Sequence, residues 1–219
     1  MLTIDPRTSE AVSAYVAGWA VSRGAPRPTP VALGWHVATG QAHESERYVP
    51  VRGSVDDVRG IADGLRTPLA CLKFAGRYDD WRPHFGTEWE DNPIGWFMTC
   101  ELGDASRVDV TDKVLVRRTG ALITAEIRGD DDVIATGRTG LVGDWCVPDR
   151  IRTVEAHRRR GFGRAIMDAL LTAAYDCGVR HAVLDASQDG RALYAATGWT
   201  TLAPQFGLTR SGRHADRAG

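Results

Sequence analysis

Three consecutive arginines, Arg158 to Arg160, run directly into the glycine-rich turn Gly161 to Gly163. Apolar and small residues at helical spacing over 165–174 predict that a helix begins at this turn. A helix N-terminus leaves backbone N–H groups unpaired and carries partial positive charge, so it attracts anions such as phosphate. Glycine lets the backbone approach a ligand closely, and arginine side chains suit phosphate oxygens. The pattern therefore predicts a phosphate-binding turn, with an exposed surface turn as the alternative.

Two other phosphate-binding motifs do not fit this run. A Walker A loop requires Gly-Lys followed by Ser or Thr, and the sequence contains no such tripeptide. The dinucleotide fingerprint Gly-x-Gly-x-x-Gly would need glycine at the position of Ile166. A strand, then Arg-x-x-Gly-x-Gly, then an amphipathic helix is a more specific description of this segment.

The segments around the turn predict the elements that position it. Before the turn, four segments rich in alternating and β-branched residues predict a meander of antiparallel strands. After it, the pattern predicts a helix that ends at Gly178, then a strand, a short helix and a last strand. In chain order these segments are 113–118, 120–129, 132–143, 144–154, 164–177, 181–187, 190–198 and 201–210.

The N-terminal half predicts a mixture of helices and short strands. An apolar stripe predicts a helix over 8–22, and Ser54 is a candidate N-cap for a second helix. The proline-rich run 25–30 is expected to break the chain. Segment 76–95 is rich in aromatic, acidic and turn residues and predicts a long loop, either a surface connection or a site of substrate contacts. Short strands are predicted within 34–40, 47–51 and 68–76.

Composition limits the classes of function. The 219 residues include 27 basic and 28 acidic side chains, so the chain lacks the basic excess expected of a nucleic-acid-binding protein. No apolar run approaches 20 residues, and the N-terminus does not resemble a signal peptide, so no membrane association is expected. The four cysteines form no Cys-x-x-Cys pair, which argues against a zinc site or disulfides. We therefore expect a cytoplasmic protein with reduced thiols and no metal.

The chain resembles the GNAT superfamily of N-acetyltransferases. The resemblance rests on Arg158-Arg-Arg-Gly161-Phe-Gly163, the helix and strand after it, and the run Leu193-Tyr194-Ala-Ala-Thr-Gly198-Trp199. It covers about residues 113–205 and implies an α+β fold, with a mixed, mainly antiparallel sheet flanked by helices and a splayed central strand pair.

Three regions are expected from this resemblance. Residues 1–110 would form an N-terminal region, either a degenerate half-copy of the same fold or a substrate-binding extension. Residues 111–210 would form the acetyl-CoA-binding domain, with the boundary expected near 105–112. Residues 211–219 would form a polar tail.

The resemblance also implies acetyl-CoA as the cosubstrate. One strand would pair through its backbone with the pantetheine arm, and a backbone amide of that strand could polarise the thioester carbonyl. The diphosphate would lie on the turn before the helix. The implied binding residues are Ile151, Arg152 and Thr153 on the strand, and Arg158, Arg159, Arg160, Gly161, Phe162, Gly163 and Arg164 at the turn.

Tyr194 occupies the position of the family's general acid, which protonates the departing thiolate; the alternative is a core tyrosine with a hydrogen-bonded hydroxyl. A base must also accept the proton of the amine. Asp149 is the nearest candidate by position, Asp144 the second, and Glu126 on the preceding strand a third. Both aspartates are equally compatible with turn positions. Ser187 replaces the asparagine of many family members and could still cap a helix.

These features favour transfer of an acetyl group from acetyl-CoA to a primary amine of a small molecule. Acetylation of protein lysines or of an N-terminus is the first alternative. A coenzyme A-binding regulatory module without turnover is the second. The expected partners are the amine or protein substrate and a second copy of the chain in a homodimer.

Overall fold

The computed structural model describes residues 5–103, 114–129 and 132–211. These residues form two compact units, and both units are discontinuous in sequence. The first unit combines the described residues up to Val16 with Ala25–Met98 and the described residues from Asp185 onward. The second combines Ala17–Gly24 with the described part of Thr99–Leu184. The boundary predicted near 105–112 lies outside the described residues.

The first unit is built on a sheet whose order is β1-β2-β3-β4-β12-β6, with β5 also paired to β12. Strands β3 and β4 are parallel, while β1–β2, β2–β3 and β4–β12 are antiparallel. The strands are β1 Thr29–Val31, β2 Gly34–Val37, β3 Glu46–Pro50, β4 Ala70–Ala75, β5 Trp89–Asp91, β6 Gly95–Glu101, which extends beyond this unit, and β12 Thr200–Arg210.

Four helices contribute to this unit: α1 Pro6–Arg23, of which the N-terminal part belongs here, α2 Val55–Gly64, α3 Tyr78–Trp81 and α5 Gln188–Ala195. Helix α2 begins with the predicted Ser54 cap, because the Ser54 hydroxyl accepts the Asp57 amide and the Asp57 carboxylate accepts the Ser54 amide. Ser187 caps α5 by accepting the amide of Gly190.

The prediction of a long loop over 76–95 is wrong in part. The segment contains α3, a 3₁₀ turn over Arg82–His84 and β5. Trp81 and Trp89 are buried in one apolar cluster with Phe74 and Phe206, whose rings stack at 4.7 Å. Burial of these large aromatic side chains stabilises local structure that the turn-forming residues of the segment did not predict.

The second unit is a meander of four antiparallel strands followed by a parallel strand, with helix α4 (Phe162–Asp176) and the C-terminal part of α1 packed on the sheet. Its strands are β7 Val114–Thr119, β8 Leu122–Arg128, β9 Val133–Val142, β10 Trp145–Thr153 and β11 His181–Ala186, of which the last two residues belong to the first unit. Helix α4 buries Ile166, Leu170 and Ala174. All four predicted strands of the meander and the predicted helix are confirmed.

Strands β10 and β11 form the parallel pair of this unit. Their registered pairing joins Trp145 to His181 and Cys146 to Ala182, although both strands continue beyond these residues. Only two residue pairs join β11 to the nine-residue strand β10, so the two strands diverge beyond Cys146 and Ala182. The predicted α+β fold, with its mixed sheet and splayed strand pair, is therefore confirmed.

Two glycines bring the C-terminal part of α1 against β9 within the second unit. A Cβ atom on Gly140 would lie 2.1 Å from the carbonyl oxygen of Gly18, and one on Gly18 would lie 2.3 Å from a methyl group of Val147. Backbone atoms cannot yield as a flexible side chain can, so the close approach of α1 to β9 requires glycine at position 140.

We expect Gly140→Ala to lower the free energy of unfolding by about 1–3 kcal/mol, because the added methyl group forces α1 away from β9. Urea unfolding followed by circular dichroism measures this change. Gly60→Ala in α2 is the control: its Cβ meets no atom within 4 Å, and alanine is expected to stabilise the helix by up to about 1 kcal/mol. Equal stability of the wild type and the Gly140 variant would contradict the close backbone contact.

Candidate active site

The turn before α4 leaves backbone amides without intrahelical acceptors. Gly161 is the N-cap residue in the left-handed conformation, with φ +83°, and Arg159 also has a positive φ of 62°. The Ala165 amide donates to the Gly161 carbonyl at 3.0 Å, so the amides of Phe162, Gly163 and Arg164 precede the first bond of the helix. Three successive N–H groups at the positive end of a 15-residue helix can bind an anion.

The turn also has room for a ligand. A Cβ atom on Gly163 would meet no atom closer than the Thr153 hydroxyl oxygen at 3.5 Å, and one on Gly161 would meet none within 4 Å. Internal packing therefore does not require glycine at position 163. Glycine at this position would instead allow a ligand to approach the backbone closely.

Four arginines surround the turn, and they differ in their contacts. Arg158, Arg159 and Arg160 are exposed. The guanidinium of Arg160 lies 3.2 Å from Nδ1 of His157, while Arg164 lies 3.5 Å from Asp168 one helical turn away. These side chains can reach an anion at the turn without breaking a buried contact.

One backbone group of the predicted binding segment is already used. The Arg158 amide donates to the Glu155 carbonyl at 3.1 Å, and the Arg158 side chain contacts the Thr153 carbonyl at 3.4 Å. Arg158 can therefore contribute its charge to the site, but its N–H is engaged in the preceding 3₁₀ turn.

Strand β10 carries a β-bulge beside the turn. Asp149 pairs with Arg138 of β9, and the next registered pair is Arg152 with Thr136, so β10 has one residue more than β9 between the two pairs. Arg150 sits in this bulge with φ +51°, a strained conformation for a residue other than glycine. Such a bulge turns backbone groups out of the regular ladder.

The predicted pantetheine-binding residues lie at the end of this strand. Arg152 and Thr153 pair with β9 along one edge of β10. The registered pairing with β11 ends at Cys146, so within the described chain the other edge of residues 151–153 has no registered strand partner. An extended ligand could pair with that open edge in the manner of an added strand.

Asp149 is held by α1. Its carboxylate accepts two bonds from Arg23, at 2.5 and 2.9 Å, and one from the Ser22 hydroxyl at 2.8 Å. Burial acts to raise the pKa of Asp149, but the hydrogen bonds and charge of Arg23 outweigh it and lower the pKa. A carboxylate with a lowered pKa is a weaker proton acceptor, so this environment disfavours the predicted base role.

The other two candidate bases, Asp144 and Glu126, have different surroundings. The Asp144 carbonyl accepts the amides of Arg180 and His181, and the residue is exposed. One carboxylate oxygen of Glu126 lies 3.0 Å from Nε of Arg128. Glu126 lines a cavity of about 370 Å³ on the sheet of the second unit.

Tyr194 lies in the last turn of α5, in the first unit, and packs against Trp199 with ring centroids 5.9 Å apart. Burial raises the pKa of Tyr194 above its usual value of 10.0. Its side chain is partly buried, and no described residue accepts or donates a hydrogen bond at its hydroxyl.

Sequence reasoning missed a polar cavity in the first unit. The cavity has a volume of about 480 Å³ and contains the ion pair between Lys73 and Asp185, with Nζ and Oδ2 2.7 Å apart. Burial acts to lower the pKa of Lys73, but the charges of Asp185 and Tyr15 and the hydrogen bond to Asp185 together outweigh it and raise the pKa. The two residues are 112 positions apart in the chain, so no local sequence pattern predicts that they form a pair.

No group of three or more His, Cys, Asp or Glu side chains is arranged to hold a metal ion in the described ranges. None of the helices in the same ranges has the length and apolar character needed to cross a membrane.

Solved structures similar to this chain share its fold. A GCN5-related N-acetyltransferase from Kribbella flavida has a TM-score of 0.70 at 15% sequence identity, over 98% of both chains. A GCN5-related N-acetyltransferase from Sphaerobacter thermophilus has a TM-score of 0.55 at 10% identity, over 94% of this chain and 93% of that one. The curated proteins contain no match to the sequence.

The sequence also matches the model of the acetyltransferase (GNAT) family over residues 66–199, which is more than half of the chain. The match begins well before residue 113, where the resemblance found in the sequence began. On this evidence, the chain belongs to the GNAT acetyltransferase family.

Proposed function

We propose that the protein transfers an acetyl group from acetyl-CoA to a primary amine of a small molecule. Membership of the family makes it an acyl-CoA-dependent transferase by class. The observation that carries the proposal is the turn before α4, where the amides of Phe162, Gly163 and Arg164 are unpaired within the helix and Gly163 leaves space in front of them. This donor set fits a diphosphate.

The acetyl-CoA would be held along β10 and the turn. Exposed side chains of Arg158, Arg159 and Arg160 would neutralise the diphosphate, and the open edge of Ile151–Thr153 would pair with the pantetheine amides. Backbone donors released by the bulge at Arg150 would be available to the thioester carbonyl oxygen. Both the family resemblance and the local geometry support this proposal.

In the reaction, the amine nitrogen attacks the thioester carbonyl carbon. A C–N bond forms, the C–S bond breaks, and the nitrogen gives one proton to a base or to water. Tyr194 would return a proton to the departing sulfur. Its raised pKa keeps the phenol protonated at neutral pH, as an acid requires.

A small acceptor is favoured by the cavity of the first unit. Its volume of about 480 Å³ lies in the range of small-molecule sites. Its carboxylates outnumber its basic side chains, and such a lining attracts a protonated amine before the amine loses its proton. The acidic residues that line it are Glu44, Glu90, Asp91 and Asp185, and the basic ones are Arg47 and Lys73, with His43 beside them.

Thiol release tests the proposal and separates it from its alternatives. The purified protein is mixed with acetyl-CoA and either a panel of small amines or a panel of peptides with free N-termini and lysines. We expect turnover with at least one small amine. Turnover with peptides alone would identify a protein acetyltransferase, and coenzyme A binding without turnover in either panel would identify a regulatory module.

Gly163→Asp is expected to weaken coenzyme A binding at least tenfold, because it places a negative charge and a side chain where the diphosphate would lie. Isothermal calorimetry measures the affinity, and circular dichroism confirms that the variant is folded. Gly60→Asp, which adds the same side chain at an open position of α2, is the control. An unchanged affinity in the Gly163 variant would remove the turn from the binding site.

Tyr194→Phe is expected to slow turnover about 100-fold or more while leaving coenzyme A affinity within about twofold, because only the donated proton is lost. Tyr175→Phe removes a hydroxyl elsewhere and should leave turnover unchanged. Since the pKa of Tyr194 is raised, loss of its proton should not reduce turnover below about pH 10. Equal turnover in wild type and Tyr194→Phe, with chemistry rate-limiting, would exclude the acid role.

Asp149→Asn is expected to lower the free energy of unfolding by about 1–3 kcal/mol and to change turnover less than tenfold, because the carboxylate fixes Arg23 and Ser22. The folded-state pKa is lowered, so this stabilisation is present above about pH 3.8 and is lost as the pH falls below it. Asp144→Asn, at an exposed position, is the control for stability.

Urea unfolding at several pH values and steady-state kinetics measure the two effects separately. If Asp149→Asn instead slowed turnover by a factor of about 100 or more with unchanged stability, Asp149 would be established as the base.

A further inference from the structure

Four arginines converge on one face of the sheet in the second unit. Cross-strand registers place Arg117 of β7 opposite Thr124 of β8 and Thr124 opposite Arg138 of β9. The next row on the same face runs from Leu115 to Glu126, Thr136 and Arg152. With Arg150 in the bulge between the two rows, these side chains line the cavity of about 370 Å³.

This face is opposite to the one covered by α4. A Cβ atom on Gly137 would meet side-chain atoms of Ile166 and Leu170, which belong to α4. Arg118, the neighbour of Arg117, points to the α4 side, where it contacts Cys177 at 3.2 Å. Because side chains alternate along a strand, Arg117 points away from α4. The arginine face is therefore separate from the turn at the start of α4.

The positive charge on this face has little compensation among the described residues. Glu126 is the acidic residue that lines the cavity, and it is already bonded to Arg128. Asp149, at the end of the first row, is engaged by Arg23. The guanidinium of Arg138 donates to the Ser22 carbonyl, a neutral acceptor.

The arginines are close enough to repel one another. The charge of Arg23, followed by desolvation and the charges of Arg138 and Arg152, lowers the pKa of Arg150 against the opposing charge of Asp149. Arg150 also keeps its strained backbone, with φ +51°. Like charges gathered in a concave site are stabilised when an anion binds between them.

We propose that this face binds a small organic polyanion, a molecule with two or more phosphate or carboxylate groups. Planar guanidinium groups bind such oxygens in pairs, and the hydroxyls of Thr124 and Thr136 add neutral donors. The cavity volume suits a small molecule rather than an extended chain. This site borders the proposed acetyl-CoA site at Arg150 and Arg152 but uses their side chains, whereas acetyl-CoA would use backbone groups of the same strand. It does not depend on acetyl transfer.

Calorimetry with inorganic pyrophosphate and, separately, with citrate tests this site and distinguishes phosphate from carboxylate ligands. We expect at least one of them to bind, with an affinity that falls as salt is added. Arg117→Gln should weaken that binding about tenfold. Arg118→Gln is the matched control, because it removes the same charge from the same strand on the opposite face, and it should leave the affinity within about twofold.

Two further measurements complete the test. Glu126→Gln should strengthen binding, because it removes the acidic residue of the cavity. Saturation with coenzyme A should leave the anion affinity within about twofold. Absence of binding by both anions at low salt, an equal effect of the Arg117 and Arg118 substitutions, or displacement by coenzyme A would each overturn the proposal. If the protein did not bind coenzyme A, the proposed function would be contradicted. The comparison of the Arg117 and Arg118 variants would still show whether the arginine face binds an anion.

Discussion

The candidate site depends on one feature of the backbone, the left-handed conformation of Gly161 at the start of α4. That conformation follows the 3₁₀ turn Glu155–His157 and begins a helix whose first amides have no intrahelical acceptor. Three N–H groups and the helix dipole then act on the same small volume, which the absent side chain of Gly163 leaves open. Exposed arginines add charge, but the amides give the site its geometry, because they are fixed by the helix itself.

The rest of the second unit holds this turn in place. Helix α4 is anchored by Ile166 and Leu170, which pack where Gly137 of β9 leaves room. Strand β10, which leads into the turn, is fixed to β9 on both sides of its bulge and to α1 through Asp149 and Arg23. A carboxylate in a partly buried ion pair is a poor proton acceptor, and breaking the pair is costly. Asp149 therefore has a structural explanation that does not require a role in proton transfer.

Local patterns in the sequence predicted the meander, α4 and the turn, since each depends on residues that are near one another in the chain. The strand β1 was not predicted because its central residue is Pro30, which an edge strand tolerates and propensity rules disfavour. Nor was β5, because the aromatic residues around it are stabilised by burial against distant strands. The Lys73–Asp185 and Asp149–Arg23 pairs arise from packing between elements distant in the chain, and the arginine face arises from strand register. A single sequence reveals neither. The roles of Tyr194 and of the turn in catalysis and binding remain predictions.

An NMR titration with coenzyme A, in which the backbone amide signals are followed, tests most directly whether the turn before α4 binds the diphosphate. We expect the largest chemical-shift changes on the amides of Phe162, Gly163 and Arg164, and we expect dephospho-coenzyme A, which keeps the diphosphate, to reproduce them. Saturable binding of coenzyme A with those three amides unmoved, or no binding by the folded protein, would contradict this assignment.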